Sequence, residues 1–168
     1  MSSQRDLTFK KLCADIGVDL TQQLRAVPRY ELAVEHDGLL YVSGQIPRLR
    51  GAVAVAGRVG AEVSFEEARR AARISVLRAL AIVRQHAGSM LRVSQMLRMT
   101  VHIQSAPNFT EHSEVADAAS DVLYELFGEA AGGHTRTTTG VYQLPKNAAL
   151  EIDLLLALGE REEGASTF

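Results

Sequence analysis

The chain has 168 residues, a formal net charge of -2, 46% hydrophobic residues and one cysteine. That length carries one domain with its own core, and the near-balanced charge argues against nucleic acid or another polyanion as partner. Cys13 alone excludes an internal disulfide or a cysteine metal cage, and no run approaches the roughly 18 apolar residues of a membrane span. A soluble, cytoplasmic protein with no membrane contact is the expectation.

Residues 1–27 read as an amino-terminal arm with a short helix around Leu7 to Ile16 and a polar connection to Pro28. Residues 28–160 read as one domain and 161–168 as a tail. Tyr30 to Glu35 and Leu39 to Ser43 are extended, with Asp37-Gly38 as the tight turn of a hairpin. Arg48 to Gly60 lacks helical periodicity and reads as a loop with a short strand at Ala52 to Ala56. Ser64-Phe65-Glu66-Glu67 is a capping box opening a helix to Ala87, with a stripe of Ala68, Ala72, Ser75, Val76, Ala79, Leu80 and Val83. Leu97, Met99, Val101 and Ile103 alternate with polar residues as a half-buried strand. Asn108 is placed to cap a second helix over Phe109 to Phe127, striped by Val115, Ala118, Ala119, Val122 and Leu126 and closed by Gly128.

Two further extended segments end the domain. Arg136, Thr138 and Gly140 share a face of the first. In the second, Leu150, Ile152, Leu154 and Leu156 share one face, while Glu151 and Asp153 take the other. Leu144-Pro145-Lys146-Asn147 between them suggests a hairpin or near-hairpin. The order strand, strand, helix, strand, helix, strand, strand predicts an α+β fold, a mixed sheet with both helices on one face.

Charged groups on strands that otherwise look buried mark the candidate site. Arg136 offers a planar fork for a carboxylate, with a structural salt bridge as the plainer role. Glu151 could hold or activate a water if burial raises its pKa, its plainer role being a pair with Arg136. Tyr30 carries a hydroxyl on an amphipathic ring, and Ser43 sits beside Gly44, where backbone can approach closely. The plainer accounts of these are packing and a turn. His36, His86, His102, His112 and His134 lack the spacing of a zinc site, and the chain has no Gly-x-Ser-x-Gly elbow, Walker loop or dinucleotide fingerprint.

The block Tyr41-Val42-Ser43-Gly44-Gln45-Ile46-Pro47, then Asn108-Phe109, Arg136, Leu144-Pro145-Lys146 and Leu150-Glu151-Ile152, resembles the YjgF/RidA family of reactive-intermediate deaminases, also called endoribonuclease L-PSP. The resemblance spans roughly Pro28 to Leu158. It implies a chorismate-mutase-like homotrimer with ligand clefts between subunits, and cofactor-free, metal-free hydrolysis of 2-imino acids such as 2-iminopropanoate to the 2-keto acid and ammonia. It assigns the substrate carboxylate to Arg136, the water to Glu151, orientation to Tyr30 and Ser43, and the lining of the cleft to Gly44 and Asn108. Thr138 stands where many deaminase members have cysteine, so thiol-linked behaviour is not carried over. The amino-terminal extension and the Arg48 to Gly60 loop resemble a longer branch. The alternatives are a carboxylate-binding or regulatory module of the same fold and, less favoured by this composition, the ribonuclease of the older label.

Overall fold

The computed structural model describes residues 3–21, 24–25 and 29–160. Residues 22–23 and 26–28 of the connection to Pro28, and the tail 161–168, lie outside the described residues. The elements are α1 (Gln4–Ile16), β1 (Ala33–His36), β2 (Leu39–Gln45), β3 (Arg48–Leu49), β4 (Ala52–Val53), α2 (Phe65–Ala87), β5 (Val93–Gln104), α3 (His112–Gly132), β6 (Thr135–Val141) and β7 (Leu150–Leu158).

Five strands form one sheet in the order β1-β2-β7-β5-β6, with β5 and β6 parallel and the other neighbours antiparallel. The expected hairpin between the last two strands is therefore not formed. β6 and β7 flank β5, and their connection crosses over the end of β5. Gln104, at that end, fixes the crossing: its Oε1 accepts from Leu144 N at 2.8 Å and its Nε2 donates to Asn147 Oδ1 at 2.6 Å. Lys146 and Asn147 take positive φ of 57° and 58° inside the turn, a geometry that the short polar Asn tolerates.

Both long helices cover one sheet face, as the alternation implied. Leu150, Ile152, Leu154 and Leu156 are buried there against α2, each burial favouring the fold by about 1.5–3 kcal/mol. The α2 stripe is buried at every expected position, and the Ser64 capping box forms, with Ser64 Oγ accepting from Glu67 N and Glu67 Oε2 from Ser64 N. Small residues along it let the helix sit close to the strands.

Three local expectations change. Leu97 is the extra residue of a β-bulge between Met96 and Arg98, so Met96 takes the buried position and Leu97 turns aside. The second helix starts later: Asn108 is exposed in a turn, α3 begins at His112, and Glu111 at its N-cap makes no side-chain capping bond. Gly128 does interrupt the helix, with φ 74°, but one more turn follows to Gly132. The Arg48 to Gly60 segment holds a two-stranded ladder, β3 with β4, in place of one strand at Ala52 to Ala56.

The helix of the arm runs from Gln4, three residues earlier than expected. It buries Phe9, Leu12 and Cys13 against the domain. Asp6 fixes it: Oδ2 accepts from Ser3 Oγ and Ser89 Oγ, and Oδ1 from Met90 N and Arg84 Nε. No helix among the described residues is long and apolar enough to cross a membrane.

Candidate functional site

Strand alternation sends Arg136 and Glu151 to opposite faces of the sheet. Arg136, with Thr138 and Gly140, faces α3. Glu151 lies beside Ile152 of the buried row and so points away from the helices. The anticipated pairing of Glu151 with Arg136 does not occur.

Arg136 is held by α3 instead. Its Nη1 donates to Asp117 Oδ1 at 2.8 Å and to Ser120 Oγ at 2.9 Å, and its Nη2 donates to the Ser113 carbonyl at 3.3 Å. Nε and one Nη2 hydrogen remain, the side-on edge of the fork, with no partner among the described residues. Ser120 Oγ also meets His134 Nε2 at 3.1 Å, while His134 Nδ1 lies 2.7 Å from the Gly132 carbonyl. A carbonyl only accepts, so Nδ1 carries a proton; in the Nδ1–H tautomer Nε2 accepts from Ser120, and Ser120 accepts from Arg136. Tyr124 packs on the His134 ring, 5.6 Å between centroids. These side chains and Thr138 line an open cleft of about 510 Å³.

The sequence reading had singled out Arg136 but missed its support. The signal was available: Ser113, Asp117, Ser120 and Tyr124 recur at helical spacing as a polar line beside the apolar stripe of α3.

On the outward face, Glu151 lies directly opposite His102 on β5. Burial pushes its carboxyl above the ordinary range, His102 acts to lower it, and the neighbouring Asp153 adds to the rise. It makes no hydrogen bond to another described residue. Gly44 presses against it, and a Cβ there would lie 2.0 Å from Glu151 Oε1. The Ser-Gly-Gln block thereby gains a physical reason. β2 steps three residues, Val42 to Gln45, while β7 steps two, Leu154 to Ile152, so Ser43 and Gly44 form a bulge. Buried Gln45 donates from Nε2 to the carbonyls of Ser43 and Gly44 and holds that bulge.

Ser43 Oγ donates to the Glu31 carbonyl at 2.7 Å, so its hydroxyl ties the segment ahead of β1 to β2. Tyr30, next to that anchor, is 53% exposed. Asn108, exposed in the turn after β5, lines neither cleft. One chain thus places the candidate residues in two groups: Arg136 and Thr138 on the helix side of the sheet, and Glu151 with Gly44, Ser43 and nearby Tyr30 on the other.

A family model described as "YjgF/chorismate mutase-like, putative endoribonuclease" matches residues 10–158. Protein TCP17 of Trypanosoma cruzi is 35% identical over 143 residues, 85% of this chain and 89% of that protein. Atu1372 of Agrobacterium tumefaciens, of unknown function, matches with a TM-score of 0.75 at 31% identity, covering 92% of this chain and 99% of the other. A Shewanella oneidensis MR-1 protein with the same endoribonuclease description gives 0.81 at 30%, covering 89% and 99%. Escherichia coli TdcF, solved with bound serine, gives 0.55 at 25%, covering 79% and 91%. With a family model spanning most of the chain and relatives matched over nearly their whole length, this protein belongs to the YjgF/chorismate-mutase-like family.

Proposed function

We propose that the protein hydrolyses small 2-imino acids to 2-keto acids and ammonia in a site completed between two copies of the chain. The observation that carries this reading is the split arrangement: a guanidinium fork for a carboxylate on one sheet face, and a half-buried carboxyl with no hydrogen-bond partner among the described residues on the other. A ligand reaches both only where the helix-side cleft of one copy meets the outward face of another. Serine bound to TdcF supports a small amino-acid-like ligand for this family.

In the proposed reaction, the free edge of Arg136 takes the substrate carboxylate and aligns the carbon of the C=N bond. Water adds to the carbon of the protonated imine as Glu151 accepts one of its protons, and the π electrons pass to nitrogen, giving a neutral carbinolamine. Its nitrogen takes that proton from Glu151 and leaves as ammonia, while the hydroxyl oxygen reforms the carbonyl and passes its proton to the Glu151 carboxylate, which returns it to water. A carboxyl held above its usual pKa by burial suits both transfers. Ser43 and Tyr30 orient the ligand beside the Gly44 bulge.

The test is complementation. Arg136→Ala and Glu151→Ala are each expected to abolish release of keto acid from 2-iminopropanoate generated in place. Chains of the two variants mixed, unfolded and refolded together should recover activity, because some junctions then carry both native residues. Inactive variants with no recovery in mixed oligomers would refute the shared site, and full activity of Arg136→Ala would refute the deaminase reading. A second reading, carboxylate binding without turnover, is favoured by the three bonds to Asp117, Ser120 and Ser113 that already hold Arg136 in place. It predicts thermal stabilisation by keto acids with no product.

A further inference from the structure

We infer that a second anion subsite, built around Arg58, lies on the same face of β6 as Arg136, so that the preferred ligand is a small acid with a second anionic group. This deepens the proposed function and rests on Arg136 as the clamp for the first carboxylate.

The Arg48 to Gly60 segment is stitched to the sheet just where Arg58 sits. Gly57 N donates to the Asn147 carbonyl at 2.8 Å, Val59 N to the Gln104 carbonyl at 2.8 Å, and Ala106 N to the Val59 carbonyl at 2.9 Å. Arg58 N itself donates to Glu62 Oε2 at 2.8 Å, and Val59 is fully buried. Both neighbours of Arg58 are thus anchored, and its backbone is not free to drift. Among the described residues its guanidinium forms no close carboxylate ion pair, and Glu62 is the carboxylate on which its charge acts. The guanidinium makes one long bond, 3.4 Å, to the Ser105 carbonyl and lies 5.0 Å from the centre of the Tyr142 ring.

Facing it, Ser105 Oγ and His112 Nε2 are 3.0 Å apart. With the His112 proton on Nε2, that nitrogen donates to Ser105 and frees the Ser105 hydroxyl to donate to a ligand. Gly140 makes room for this pair. A Cβ at that position would lie 2.7 Å from His112 Nε2 and 2.8 Å from Ser105 Oγ, although the glycine has no positive φ to justify it. A glycine inside a strand weakens it, so a close approach is the remaining reason for one here. Phe109 packs edge-on against the His112 ring at 5.2 Å and is itself fitted against Gly60, where a Cβ would come within 3.0 Å. The result is a cleft of about 540 Å³ with a cation on an anchored stretch of backbone at one wall and a hydroxyl-imidazole pair on the other.

The two clefts are neighbours. Arg136 donates to the carbonyl of Ser113, the residue after His112, and Thr138 separates Arg136 from Gly140 along one strand face. A linear acid held by Arg136 can therefore direct its far end toward Arg58.

The experiment compares length-matched keto acids by calorimetry: 2-oxopentanoate with 2-oxoglutarate, and 2-oxohexanoate with 2-oxoadipate. A phosphonate in place of the terminal carboxylate distinguishes the two kinds of anion. The expected result is a diacid bound about tenfold more tightly than its monoacid, the scale of one charge-assisted bond. Arg58→Gln should reduce that ratio to about one, and Arg58→Lys should restore part of it. Gly140→Ala, which displaces the Ser105–His112 pair, should also lower it. Arg136→Gln should weaken both members of a pair together. Equal affinities in the native protein, or a ratio unchanged in Arg58→Gln, would overturn the subsite alone. No binding of any of these acids would overturn the Arg136 reading and this one with it.

Discussion

Asp6→Asn tests how the arm is held. Asp6 is 4% exposed, and burial by itself would raise its carboxyl. Hydrogen bonds from Ser3, Ser89 and Met90 N, with the Arg84 charge, outweigh that and lower it from 3.8 to about 2. Each pH unit of such a shift is worth about 1.4 kcal/mol, so the ionised group favours the folded chain by about 2 kcal/mol. Because the folded value lies below the unfolded one, this contribution is complete above pH 3.8 and disappears as pH falls through about 2. At pH 3 about half of it remains. An asparagine keeps one acceptor, but its NH2 faces two donors, so D6N should lose about 2 kcal/mol at pH 7. Urea unfolding followed by circular dichroism, at one fixed protomer concentration, measures this for both proteins from pH 7 to pH 2.5. The gap should narrow steadily with acid, while the other carboxylates titrate in both proteins and cancel. A gap that is constant with pH, or absent at pH 7, would refute the charge-based account of the α1 anchor.

Gly44→Ala should lower the thermal midpoint, since the Glu151 side chain must swing away from its Cγ outward, and lower turnover by about 100-fold through misplacement of that carboxyl; kcat and the melting temperature measured together separate the two effects. Glu151→Gln should stabilise the fold at pH 7. A carboxyl whose folded pKa is raised costs stability once ionised, so the gain is expected above its ordinary 4.5 and should vanish in acid, as a melting series would record. Asp117→Asn removes a competitor for Arg136, and because Asp117 is half exposed the ion pair is worth at most about 1 kcal/mol. Keto-acid affinity, read by calorimetry, should rise by up to about fivefold.

The periodicities of α2, the stripe of α3 and the alternation of β7 were legible from residue order because each is local: one face must be apolar whatever the helix or strand packs against. The candidate site residues stood out for a related reason, as Arg136 and Glu151 are charges set in strands that otherwise read as buried. Their partners were not. Asp117 and Ser120 lie 19 and 16 residues from Arg136 and meet it only because α3 packs across β6. The phase of β5 was misread at Leu97, since a bulge adds a residue without changing composition.

Sequence alone determined the two long helices and the main strands, and the apolar face of α2, α3 and β7, because propensity and burial act residue by residue. Tertiary structure decided that β5 runs between β6 and β7, a choice of long-range pairing that local preference leaves open. That choice, with the pleat of the strands, puts Arg136 and Glu151 on opposite sides of one sheet.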